Sequence, residues 1–352
     1  MKQSNLLIKA LAAVALLGIS SPLGFAASTN TWVGGSGNNF STTANWSYSS
    51  GSGPLASGDS LIFGSTGSTT PNNDETAFSF NSITFTNTAQ AYTVGGNGLT
   101  LNGTLADNAS VDETINFGIT LGSVGGTLIQ NTVSGHTLAL GTLTHTAGNG
   151  STVNFTTTGA ISTTTTDNNG MIGGWAVIDN GNNTYSWAHS GSSGANNITA
   201  ATTTTTASST ANWAPTAVQT IGNTTVNSLI EVADVKVNNA TTLTIGSGGM
   251  IFQGANFWLQ PASGSASVNS GLASGELFVH TPNAANTDTR ITLKVVDNGA
   301  TPVILVKNGP GYLRLDGVNT YSGGTMINAG LLTIGSAGSL GSGSYSAGIR
   351  NN

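Results

Sequence analysis

Residues 91–105 read "AYTVGGNGLTLNGTL". Tyr92 and Val94 fall on one side of an extended chain, and after a glycine-rich break Leu99 and Leu101 do the same, with threonine between. Apolar residues two apart, in runs of three to five bounded by Gly or Asn, are the signature of short half-buried strands. The pattern continues in both directions. Upstream stands "NSITFTNT" (81–88), with Ile83 and Phe85 in phase. Downstream come "TINFGITLG" (114–122), "GTLIQNTV" (126–133), "HTLALGTLTH" (136–145) and "STVNFTT" (151–157). Beyond the leader at the N-terminus no segment offers a capped 3.6-residue period, so the chain reads as all-β.

The kind of β architecture follows from strand length and corner chemistry. A sandwich buries aromatic residues between two sheets of longer strands. Here the strands are very short, the breaks are single Gly or Gly-Asn corners, and the apolar positions are mostly Ile, Leu and Val. Gly and Asn tolerate the left-handed backbone that sharp corners need. Related units recur at "GLTLNG" (98–103), "TLTIGSGG" (242–249), "YLRLDG" (312–317) and "GLLTIGS" (330–336), unevenly spaced. These observations predict a parallel β-helix, in which each strand stacks on its equivalent in the next turn. At roughly 20–25 residues per turn and about 4.8 Å per rung, a single rod of about 15 rungs near 70 Å long is expected.

The N-terminus has its own reading. Lys2 and Lys9 flank "MKQSNLLIK", the apolar "ALAAVALLGIS" follows, and "SPLG" leads to small residues around Ala26. This is the pattern of a secretory signal peptide, residues 1–26, cleaved after Ala26. Its removal takes away two lysines and leaves six basic residues against 14 acids. That excludes a basic nucleic-acid surface, and it argues against electrostatic attachment to an anionic membrane. There is no cysteine, so no disulfide staples the fold. With 6% charged residues, the surface is expected to be paved with Ser, Thr, Asn and Gly.

Two stretches break the rhythm. "GGWAVIDNGNNTYSWAHSG" (173–191) places Trp175/Val177 and Tyr185/Trp187 around Asn180-Gly181-Asn182-Asn183 and predicts an antiparallel hairpin, read as an excursion from the β-helix side. The threonine-rich 192–213 after it is low in complexity. The expected organisation is a signal peptide (1–26), an N-terminal cap segment (27–64), β-helix rungs (65–160), the hairpin and Thr-rich excursion (161–215), and further rungs (216–352).

"LVKNGPGYLRLDGVNTYSGGTMINAGLLTIGSAGSLG" (305–341) closely resembles the autotransporter-associated β-strand repeat of bacterial surface proteins. Leu313 and Leu315 match its first strand, Asn319-Thr320-Tyr321-Ser322-Gly323-Gly324-Thr325 its turn, and Ile327 and Leu331 to Ile334 its next strand. Residues 31–64, with Trp32, Trp46 and Asp59, are similar to the segment that precedes such repeats. The resemblance implies a right-handed parallel β-helix passenger, displayed or released by a bacterium with an outer membrane, and it brings no shared catalytic residues. Membrane attachment would then run only through a C-terminal translocator. None is visible before "SYSAGIRNN", so the chain reads as an N-terminal piece of a longer autotransporter-like protein.

The search for chemistry yields no catalytic, cofactor-binding or metal site. There is no Gly-x-Ser-x-Gly, no His-Glu-x-x-His and no P-loop. His136, His145, His189 and His280 are scattered; His136 and His145 flank one strand pair and could face each other, but read as exposed strand-end histidines. Asp74-Glu75 and Asp112-Glu113 are neighbours that point to opposite faces in a strand and read as solvated in loops. The densest charge cluster, "NTDTRITLKVVDNG" (286–299), holds Asp288, Arg290, Lys294 and Asp297. Its even spacing puts Arg290 and Lys294 on one strand face, a pattern that also suits a solvated edge discouraging aggregation. The six tryptophans, Trp32, Trp46, Trp175, Trp187, Trp213 and Trp258, suit caps and core, or stacking on sugars if exposed. The sequence thus points to a non-enzymatic stalk or adhesin scaffold, secreted or at the cell surface, with glycans or host and bacterial surfaces as partners. A polysaccharide-active β-helix lyase or hydrolase is the alternative.

Overall fold

The computed structural model describes residues 27–50, 53–122, 125–191, 196–254, 257–285, 288–335 and 337–352. The predicted signal peptide lies outside them. Strand accounts for 45% of the structure, no α-helix occurs among the described residues, and the chain winds into a parallel β-solenoid of about 12 turns.

The turns form two stacks rather than one rod. In the first, strands Thr29–Trp32, Ser60–Phe63, Ser79–Phe85, Leu99–Asp107, Gly126–Asn131, Thr152–Thr157 and Ala176–Asp179 pair in parallel in chain order. Their register builds a continuous inner column, Leu61–Ile83–Leu105–Ile129–Phe155–Ile178, one residue per turn. All six are buried, each contributing roughly 1.5–3 kcal/mol by leaving water. The period-two alternation read at 91–105 is this column and its neighbours. Gly96 shows what the corners demand: its φ is +103°, and a Cβ there would lie 2.3 Å from the Asn73 carbonyl oxygen of the adjacent turn.

At the N-terminal end the parallel order stops. Trp46–Tyr48 pairs antiparallel with Thr29–Trp32, placing Trp32 opposite Trp46. Their rings meet edge-on at 5.1 Å, with Phe40 and Phe63 completing the cluster. Buried Asp59 ties the segment down, accepting hydrogen bonds from the Ser28 and Ala56 amides and the Asn30 side chain.

The hairpin is present, with Val177 opposite Trp187 and a turn in which Gly181, Asn182 and Asn183 all have positive φ. It is no lateral excursion. Its first strand is the last parallel rung of the main sheet, and its second strand, Tyr185–His189, reverses direction and ends that sheet's parallel order.

The second stack has three sheets. One contains Ser228–Glu231, Gly249–Phe252, Glu276–His280, Ile304–Asn308 and Thr325–Ile327, the next Val235–Val237, Trp258–Pro261, Arg290–Ile291, Tyr312–Leu315 and Leu331–Ile334. The third includes Thr242–Ile245, Ser267–Ser270 and Lys294–Val295. The first of these sheets is buried on both faces along its strands from Ser228–Glu231 to Ile304–Asn308. Its outward Ile230 and Ile251 form one cluster with Met171, Val177, Tyr185 and Trp187 of the first stack. Polar contacts seal the same seam: His280 Nε2 lies 2.8 Å from the Gly174 carbonyl, Asn328 donates to the Gly150 carbonyl at 2.8 Å, and Arg350 to that of Asn149 at 2.7 Å. The single-rod expectation of about 15 rungs is therefore corrected. An apolar outer column needs a partner, and the first stack provides it.

Candidate functional surfaces

The charge cluster at 286–299 is divided by the fold. Arg290 and Lys294 are not on one face, because the chain turns a corner at buried Leu293 and the two residues join different sheets. Asp297 is a corner clamp, accepting from the Val303 amide and from the amide and hydroxyl of Ser322.

Arg290 instead joins a strip along the second sheet. Trp258, Arg290, Arg314 and Thr333 occupy equivalent positions in four successive turns. The Arg290 guanidinium carbon lies 4.2 Å from the Trp258 ring centre, a cation–π contact. Its Nε engages Asp288, and a second nitrogen is 3.9 Å from Asp316. Arg314 grips Asp316 with two hydrogen bonds of 2.7 and 2.8 Å, the planar fork that arginine makes with carboxylates. Asp234 anchors the near end, accepting from the Trp258 amide and the Gln260 side chain. Two cations and two acids thus neutralise one another beside a half-buried indole.

The histidines separate into distinct environments. His136 lies 3.7 Å from Asp112, and His189 engages Asp167. His145 bonds Ser151 and Glu276, and His280 is fully buried, which pushes its pKa down to about 4. The expectation of an exposed strand end therefore fails for His145, which sits just past Leu143–Thr144 but is held by Glu276 of the other stack, and His280, the last residue of its strand, binds the Gly174 carbonyl across the same seam. Glu113 is a further correction. It is buried rather than solvated, and burial raises its pKa to about 8, against the hydrogen bond it accepts from the Tyr92 amide. Glu231 is raised by burial in the same way, and Asp107 to about 6. Glu231 belongs to the second stack, whereas Asp107 and Glu113 are neighbours in the first, the Asp107 charge adding to the rise at Glu113. No group of three or more metal-ligating side chains occurs among the described residues. Of the tryptophans, Trp32, Trp46, Trp187 and Trp213 are buried, leaving Trp175 and Trp258 half-exposed.

The Asn-Thr-Tyr-Ser-Gly-Gly-Thr stretch serves as a coupling between turns. Asn319 is buried, and its carboxamide accepts from the Val295 amide of the turn before while donating to Gly317 and to Ser339 of the turn after. The Tyr321 hydroxyl meets the Thr325 hydroxyl at 2.7 Å in the core. Gly323 passes so close to the previous turn that a Cβ would lie 2.2 Å from the Val303 carbonyl oxygen. The family model of the passenger-associated-transport-repeat matches residues 305–334.

The chain carries a passenger-associated-transport-repeat.

That repeat supplies two strands each to the first and second sheets of the second stack, and Lys307 within it is held by three backbone carbonyls, those of Asn308, Gly309 and Ala329. The passenger repeat and the parallel solenoid together fit an exported autotransporter passenger. No curated protein and no solved structure matches the chain.

Proposed function

We propose that this passenger is a structural stalk or adhesin scaffold, secreted or displayed at the cell surface, with no catalysis of its own. The observation that supports this most is where the charges go. Arg290, Arg314, Asp288 and Asp316 are spent on one another in a surface strip, while the acids with raised pKa, Glu113 and Glu231, are enclosed in separate corners. What remains outside is hydroxyl- and amide-rich surface on a frame of backbone ladders, suited to presenting hydrogen-bonding groups to glycans or cell surfaces. Beads coated with the purified chain should adhere to host cells, mucin or other bacteria more than bare beads do. Equal adherence on all three would end the adhesin half of the proposal.

A polysaccharide-active lyase or hydrolase is the second reading, and the Trp258–Arg290–Asp316 strip is what favours it. Depolymerisation of acidic glycans that disappears in Arg290→Ala but persists in Lys294→Ala would establish it. Inactivity across a broad glycan panel would eliminate it.

A further inference from the structure

Where the first stack closes and the second begins, the surface carries an open recess of about 360 Å³. Its walls include Asn169 and His189 from the closing end of the first stack, and Thr203, Ser208, Thr210 and Asn212 from the segment leading into the second. The volume stands at the small end of the roughly 300–1,000 Å³ typical of small-molecule sites. It has room for one or two sugar rings. No Lys, Arg, Asp or Glu lines it among the described residues. We propose that this cavity is a binding site for a neutral sugar unit, such as the terminal hexose of a glycan.

The lining is organised rather than merely polar. The carboxylate of Asp167, 6% exposed, packs against Nδ1 of His189. The same carboxylate accepts from the Ser190 and Gly191 amides, so it is fixed from the other side. Nε2 is then the imidazole nitrogen left for a ligand hydroxyl. Asn212 is buried, and its Oδ1 is held by Asn227 at 2.7 Å and Ser228 at 2.9 Å. Its Nδ2 donates to the Asn169 and Thr202 carbonyls at 3.3 and 3.4 Å, which ties the two sides of the recess together. Threonine and serine hydroxyls both donate and accept, which suits vicinal ligand hydroxyls of either role. Their methyl and methylene groups, with Ala211, offer a small apolar wall for sugar C–H bonds. Among the described residues the one ionisable side chain in the lining is His189, which Asp167 already balances, so a uronate or an amino sugar would bring in an uncompensated charge.

This names a ligand class for the adhesin reading, and it rests on that reading only for the adherence arm of the test. The full chain is titrated with methyl α-mannoside, methyl β-galactoside and methyl N-acetylglucosaminide, with binding followed by saturation-transfer NMR. Transfer to at least one of them is expected, together with weakening of about tenfold in His189→Ala, the loss of one good hydrogen bond. Ser208→Trp fills the cavity from an exposed position and should abolish binding. Thr203→Tyr, also exposed, repeats the test should the first variant fold poorly. No transfer from any of the three glycosides, transfer that survives both filled variants, or equal transfer from methyl glucuronide would overturn the proposal. Coated beads separate the two readings. Adherence without glycoside binding removes the cavity site and leaves the adhesin, whereas glycoside binding without adherence does the reverse.

Discussion

His145 and Glu276 are 131 residues apart in the chain, and across the seam His145 Nε2 lies 3.0 Å from Glu276 Oε2. The other carboxylate oxygen accepts the Gly150 amide at 2.9 Å, and the imidazole stacks on Trp175. Burial pushes the Glu276 carboxyl up, but the hydrogen bond and charge of His145, with the Gly148 and Gly150 amides, hold it below its ordinary 4.5. An acid depressed in the folded state stabilises above its ordinary pKa, and that stabilisation is lost as pH falls through the folded value. Glu276→Gln should therefore speed amide exchange over residues 145–152 at neutral pH. The wild type should show the same loosening only once the pH drops below 4.5.

Glu113 has the opposite sign. Its folded pKa of about 8 against an ordinary 4.5 means the native state keeps a proton that the unfolded chain releases, so stability falls as pH rises across that window. Glu113→Gln retains an acceptor for the Tyr92 amide and deletes the charge. The expected outcome is a melting temperature equal to wild type at pH 4 and higher at pH 8, read by circular dichroism.

Trp187 is fully buried at the seam, and its ring lies so near Gly249 that a Cβ there would approach it within 2.6 Å. Trp187→Ala should cost about 3–5 kcal/mol. Because the side chain packs between the stacks rather than inside either inner column, its loss should uncouple them. A single denaturant transition is expected to become two, monitored by tryptophan fluorescence.

Lys307 is buried and donates to three carbonyls, and burial lowers its pKa from 10.5 to about 7. Between those values the unfolded chain binds the proton that the native state has released, so stability rises with pH. Lys307→Met orphans the carbonyls, at about 1–3 kcal/mol, and removes that rise. Urea titrations at pH 7 and pH 10 should show the gap between wild type and variant widening at the higher pH.

The inner columns were legible because burial on one face leaves a period of two. Ile83, Leu105 and Phe155 belong to alternating runs and share one column. The second stack's packing against the first left a subtler mark. "MIF" (250–252), "LFV" (277–279) and "ILV" (304–306) are continuous apolar runs, the pattern of strands covered on both sides, and they form the seam. The charge cluster misled because even spacing implies one face only while the strand stays straight, and Leu293 bends it. His280 carried no local signal, since its partner, the Gly174 carbonyl, is 106 residues away. The cavity beside His189 was equally hidden, being assembled from the end of one stack and the lead-in to the other. The Thr-rich stretch that lines it read only as low complexity.

The aromatic lid over the first turn also governs how copies of the molecule can associate. Trp32, Phe40 and Trp46 fill the N-terminal mouth, and the antiparallel strand Trp46–Tyr48 interrupts the parallel edge there. Exposed Leu331, Ile334 and Ile349 gather instead in the last turns of the second stack. Head-to-tail growth of a filament needs two complementary sticky ends. With the N-terminal mouth of the first stack blocked, an incoming strand edge finds no parallel ladder to extend there, so that end takes no part in such growth.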